Sequence, residues 1–377
     1  MKTHTLVTNR KFGVIYSLLP VSLFTIGLIV ISAMPALAGS GGFSSTGSMN
    51  VARVNHTATR LANGEVLVTG GSNATSGYLA SAELYNSATG KWTLTGSMTI
   101  ARTGHEAVLL PNGEVLVAGG LPNACCGAPS LASAELYNPT TGTWTAATGS
   151  MTTGRESFAF TVLSNGKVLA AGGFDNGALS SAELYNPATG SWTATGTMTG
   201  SAGAAVLLQN GDVFDSNDSL YNPSTGTWTA TARDPIPSGL LALLPNGDVF
   251  ARGGIQGNSI YHPSTDQWTT FAPPPCTTNS QNCESAGALL NTGKVLVAGG
   301  VTYVNAQPYP IEETNGLAAL FDTSTLTWTT TGSMNKSRLG ETMAILSNGQ
   351  ALVAGGQTFD KHLGHLIEIA SAELYTP

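Results

Sequence analysis

Four arginines, Arg53, Arg102, Arg155 and Arg338, stand at one position of an internal repeat, and His56, His105 and Glu341 lie three residues after Arg53, Arg102 and Arg338. Guanidiniums gathered at one place bind carboxylates or sulfates through paired N–H donors. The arc they form, with the two imidazoles and the carboxylate, is therefore a candidate ligand site. The competing reading is that these side chains hydrogen-bond loop carbonyls of the fold itself. In the other three repeats the arginine position falls to Gly200, Ile236 and Asn282. A second constellation is His362 and His365 with Asp360. Two imidazoles and a carboxylate are a donor set for a divalent metal, and the competing reading is a solvated loop with incidental histidines. Tyr303, Tyr309, Glu312 and Glu313 could present rings and acids to a sugar, or pack over a sheet edge.

Cys276 and Cys283 bracket six residues and are read as a disulfide, while Cys125 and Cys126 are adjacent. Four cysteines permit three pairings, and spacing does not choose among them. The chain holds no Gly-x-Ser-x-Gly elbow, no phosphate-cradling glycine loop and no credible nucleophile triad. No catalytic residue and no cofactor is expected.

The elements that must position these residues are short strands. Asn-Gly, whose residues accept the positive φ values of a type I′ hairpin, occurs at Asn63-Gly64, Asn112-Gly113, Asn165-Gly166, Asn210-Gly211, Asn246-Gly247 and Asn348-Gly349, with Thr292-Gly293 as a seventh pair. An apolar strand follows each and runs to a glycine doublet, with Asp215-Ser216 in its place in the fourth unit. Ala-Glu-Leu-Tyr, a short turn and Trp-Thr complete the pattern. The period of about 48 residues is that of one four-stranded propeller blade. Trp92, Trp144, Trp192, Trp228, Trp268 and Trp328 are six for seven units. Phe43 precedes Met49 as Trp92 precedes Met98, so residues 43–48 are expected to supply the outer strand of the last blade beside residues 371–375. Closure of this kind removes a free sheet edge. Strand alternation puts the short turns on one face of the disc. The long loops 121–131, 271–284, 301–316 and 357–369 fall on the other, where recognition usually resides.

Charged residues are 10% of the chain and apolar residues 42%, in short regular runs, which suits many strands and argues against disorder. Residues 1–38 read as a signal peptide: Lys2, Arg10 and Lys11, an apolar run over 12–34, then Ala36-Leu37-Ala38. An uncleaved anchor is the alternative, and either outcome places the propeller, residues 39–377, at the cell surface or in the medium. The formal charge of −7, less the +3 of residues 1–38, leaves −10. That disfavours nucleic acid or an anionic membrane as a partner, and no membrane insertion of the propeller is expected.

The glycine doublet, Tyr and Trp at near-fixed offsets resemble the Kelch repeat over essentially all of residues 42–377. The resemblance implies an all-β, seven-bladed propeller of the galactose oxidase central-domain type. Enzymes of that type hold copper with two Tyr and two His. Tyr261-His262 imitates the family's adjacent pair, but its register puts it at a short turn, and the fold does not carry the activity with it. The reading is an exported binding module for a carbohydrate or an extracellular protein on the long-loop face. The alternative is a sugar-directed enzyme, a copper oxidase or a sialic acid epimerase.

Overall fold

The computed structural model describes residues 41–122, 128–235, 240–252, 257–276, 281–282, 286–304 and 311–377. Four antiparallel strands, Thr57–Arg60, Val66–Thr69, Ala82–Asn86 and Lys91–Leu94, make blade 1. The same order recurs in blade 2 (innermost strand Glu106–Leu109), blade 3 (Ala159–Val162), blade 4 (Ala205–Leu207), blade 5 (Leu240–Leu243), blade 6 (Ala286–Leu289) and blade 7 (Thr342–Ile345). Seven such sheets close a ring around an axis.

Blade 7 takes its rim from the front of the chain. Gly42–Ser45 pairs antiparallel with Ala372–Thr376, and Phe43 faces Tyr375. Their rings stand as Tyr85 and Trp92 do in blade 1, with centroids 5.0 Å apart in both pairs. Phe43 is thus the seventh aromatic of the outer ring. Several neighbouring blades are stitched at the rim by hydroxyl pairs from an outer strand's end to the next blade's tyrosine, as in Thr95 to Tyr137 at 2.8 Å and Thr331 to Tyr375 at 2.9 Å.

Two long loops carry paired strands among the described residues. In blade 6 the middle strands run on as Lys294–Val304 and Ile311–Asp322, with a register shift between Ala298 and Gly300. In blade 7, Gln357–Asp360 pairs with His365–Glu368. Their β-branched and aromatic residues favour extended pairing. The register also moves two assignments in blade 4. Val213 pairs with Tyr221 as Val66 pairs with Tyr85, which puts Asn217-Asp218, not Asp215-Ser216, at the glycine doublet, and Asp218 takes a φ of 56° there. The backbone N–H of Gly173 donates to Ala202 as that of Gly120 donates to Arg155, so blade 4 answers the arginines with Ala202 rather than Gly200.

Candidate functional site

The four arginines are fully buried, and each makes the same bonds inside its own blade. Arg102 Nη1 donates to the carbonyls of Gly119 (2.9 Å) and Ser133 (3.1 Å), and its Nη2 donates to Glu135 Oε1 (2.9 Å). Arg53 joins Gly70, Ser81 and Glu83. Arg155 joins Gly172, Ser181 and Glu183, and Arg338 joins Gly355, Ser371 and Glu373. Each glutamate also accepts backbone N–H groups from the loop before the arginine, as Glu135 does from Thr99 and Ile100. The contacts are those of the second reading given for these residues. They staple the incoming loop, the glycine doublet and the third strand together, and no Nη atom is turned to solvent. Burial lowers each guanidinium's pKa, and the paired glutamate opposes that shift.

His56 and His105 are buried wedges between blades. His56 Nε2 lies 2.9 Å from Thr342 Oγ1 of blade 7, and His105 Nε2 lies 3.2 Å from both Thr57 and Thr69 of blade 1. The φ of Gly70 is +60°, and a Cβ there would come within 2.5 Å of the His105 ring. Only glycine fits that backbone and that gap. Phe158 takes the wedge position in blade 3, over Gly119, and Glu341 takes it in blade 7, against Gly299. Burial and the nearby Arg102 push His105 down to about 3, and burial, Arg53 and His105 hold His56 well below its ordinary value, so both imidazoles are neutral.

His362, His365 and Asp360 do not converge. Asp360 Oδ1 caps the hairpin turn by accepting the N–H groups of His362 (2.8 Å) and Leu363 (3.1 Å), and His365 Nδ1 sits 3.2 Å from the Leu363 carbonyl. Among the described residues no three His, Cys, Asp or Glu side chains come together as a metal site. Cys276 is disulfide-bonded and buried, while Cys125, Cys126 and Cys283 lie outside the described residues. Tyr309 does too.

What projects from the long-loop face is a wall across blades 6, 7 and 1. Phe359 N donates to Thr314 Oγ1 (2.9 Å), Ser337 Oγ meets Thr358 Oγ1 (2.8 Å), and Lys361 Nζ lies 3.3 Å from Glu313. Glu368 Oε2 accepts Ala74 N of the blade 1 hairpin at 3.2 Å. Leu363 at its tip is 60% exposed. On the opposite face, a groove of about 280 Å³ runs between blades 4 and 5 beside Asn210, Asn246 and Asp248. Asp248 there holds His262 Nδ1 at 3.1 Å.

The throat holds a residue that the sequence reading did not single out. The innermost-strand position facing the end of the second strand is Thr57, Ala159, Leu240, Ala286 or Thr342 in five blades. In blade 2 it is Glu106, opposite Ala118. Thr57 and Thr342 bond the wedge histidine of the next blade, but the wedge that follows Glu106 is Phe158, which can make no such bond. Glu106 is 9% exposed, and burial alone holds its carboxyl well above the usual range. The one signal in the sequence was an acid where the repeat otherwise carries a small or apolar residue.

The family model described as the Kelch motif matches residues 53–99 and 157–199. The chain carries the Kelch motif within a seven-bladed β-propeller. Among curated proteins none matches the sequence. Of solved structures, a fungal alcohol oxidase of the AA5 family in complex with copper is similar at 18% identity with a TM-score of 0.68, over 90% of this propeller chain and 77% of that one. YjhT is similar at 14% identity with a TM-score of 0.55, over 87% and 96%. At these identities the likeness is one of fold. The residues that would hold copper do not fit: His56 and His105 are neutral wedges, His262 pairs with Asp248 on the far face, and Tyr261 is buried with its hydroxyl on Asp266.

Proposed function

We propose that this Kelch propeller is an exported recognition module that binds a carbohydrate or an extracellular protein on its long-loop face. The observation that carries the reading is the braced wall of blades 6, 7 and 1. Side-chain bonds from Thr314, Ser337, Thr358 and Glu368 fix its hairpins to one another, so a ligand meets a preformed surface and ordering costs less on binding. The guanidiniums serve the blades from within, which passes the binding role from the arc to the wall and the throat it overlooks. Residues 1–38 support export.

Glycan arrays and extracellular-protein panels probed with the mature chain test the reading. Saturable binding weakened by Lys361→Ala with Leu363→Ala, at unchanged melting temperature, supports it. Binding to neither panel, or binding indifferent to the wall variant, sinks it.

A further inference from the structure

We propose that the throat between blades 2 and 3 is a subsite for a protonated primary amine, received by Glu106 and Ser157. The inference rests on the binding role of the long-loop face and names the chemistry that one part of it would take.

Two polar groups stand there without a partner. The Glu106 carboxyl has no hydrogen bond or ion pair among the described residues, although nine-tenths of the side chain is buried. The Ser157 hydroxyl, 2% exposed, also has none. Buried polar groups are ordinarily satisfied, and leaving both empty costs the fold free energy. They are neighbours through the backbone. Ser157 N donates to the Gly104 carbonyl at 2.9 Å, two residues before Glu106. Ser157 is held at a φ of 50°, in the position that blades 2 and 7 give to Gly104 and Gly340.

Beside Ser157, the backbone of Glu156 pairs with that of Phe174. Phe174 is 49% exposed, yet its loop is fixed: Ser130 Oγ donates to the Phe174 carbonyl at 3.0 Å, and Ser130 N donates to Asp175 at 2.9 Å. Ala107, beside Glu106 on the strand, is part-exposed.

An ammonium group fits this set. It offers three donors to a carboxylate and a hydroxyl. A carboxylate or sulfate would instead face Glu106 and Glu156. Burial raises the Glu106 pKa, and at a pH below that pKa the amine displaces the acid's proton to solvent: the O–H bond of the acid breaks, the ammonium keeps its own protons, and one proton leaves.

Calorimetry on the whole protein decides, with glucosamine and alanyl-alanine as probes and their N-acetylated forms as controls. Glucosamine binding or dipeptide binding tells which source the amine comes from. We expect at least one amine to bind roughly tenfold or more tightly than its acetylated form, with a heat that varies with the buffer's ionisation enthalpy as one proton is released. Glu106→Gln, which mimics the protonated acid and so keeps the fold, should lose that preference and the buffer dependence at an unchanged or higher melting temperature. Ser157→Gly, a residue the repeat already uses there, should weaken the amine several-fold. Equal binding of free and acetylated probes, no binding of either amine, or full binding by Glu106→Gln overturns the proposal. Glycan binding at the wall that survives Glu106→Gln overturns it while leaving the proposed function standing.

Discussion

Phe43 lies directly opposite Tyr375, ring to ring, although the two stand at opposite ends of the folded chain. The pairing joins the ring, because Thr331 also reaches Tyr375 and the Gly41 carbonyl from blade 6. Phe43→Ala removes a half-buried ring and should lower stability by about 1–2 kcal/mol. Deleting residues 41–45 should cost more, and it exposes the edge of Ala372–Thr376 to pairing with another chain. Thermal melts and light scattering check this, and an unchanged melting temperature with a monomeric deletion variant contradicts the closure.

Arg102→Ala leaves Glu135 buried without its cation. Breaking one partner of a buried pair costs about 3–5 kcal/mol, so urea unfolding should show a loss of that order. Removing Glu135 as well should rescue little, because that carboxylate also receives the N–H groups of Thr99 and Ile100. A loss under about 1 kcal/mol would be the behaviour of an exposed ion pair rather than a staple.

Gly70→Ala places a methyl against the His105 ring and the Arg102 carbonyl on a backbone with positive φ. It should cost upwards of about 2 kcal/mol. Pairing it with His105→Ala should recover only part of the loss, since the carbonyl contact and the φ remain. Full recovery would mean the ring clash was the whole cost.

The pH dependence has two opposing parts. His105 has its folded pKa depressed to about 3, so its contribution is complete above the unfolded value of about 6.5 and is lost as pH falls from there toward 3. Asp215 of blade 4 is raised to about 7 from 3.8, chiefly by burial. Its contribution is complete below 3.8 and is lost as pH rises through 7. Asp215→Asn keeps a neutral acceptor for the N–H groups of Asn217 and Ser219. It should therefore flatten the decline between pH 4 and 7, an effect on the order of 4 kcal/mol if the whole shift is expressed. Parallel stability curves for wild type and variant would contradict this assignment.

The disc was legible in the sequence because hairpins and rim aromatics leave marks that local physics requires: Asn-Gly for its turns, Trp or Phe43 for each outer strand. The partners of the arginines were not. Arg53, Arg102, Arg155 and Arg338 meet glutamates 30, 33, 28 and 35 residues away. The loops between them differ in length, so no fixed spacing announces the pair, and Ala-Glu-Leu-Tyr reads simply as a strand. A sequence places a guanidinium near the mouth of a channel, but whether its donors are already taken depends on packing. The long loops 301–316 and 357–369 were visible as variable, while their union into one wall rests on hydroxyl contacts such as Ser337 with Thr358, which leave no periodic trace.

The rim strand Gly42–Ser45 is synthesised before the innermost strands of all seven blades, and its mate Ala372–Thr376 after them. A chain emerging from the ribosome therefore waits, with an unmated β-edge, until that mate has been made. Premature termination would yield an open horseshoe that no amount of time can mend, and this gives cellular quality control a simple mark by which to tell finished molecules from fragments.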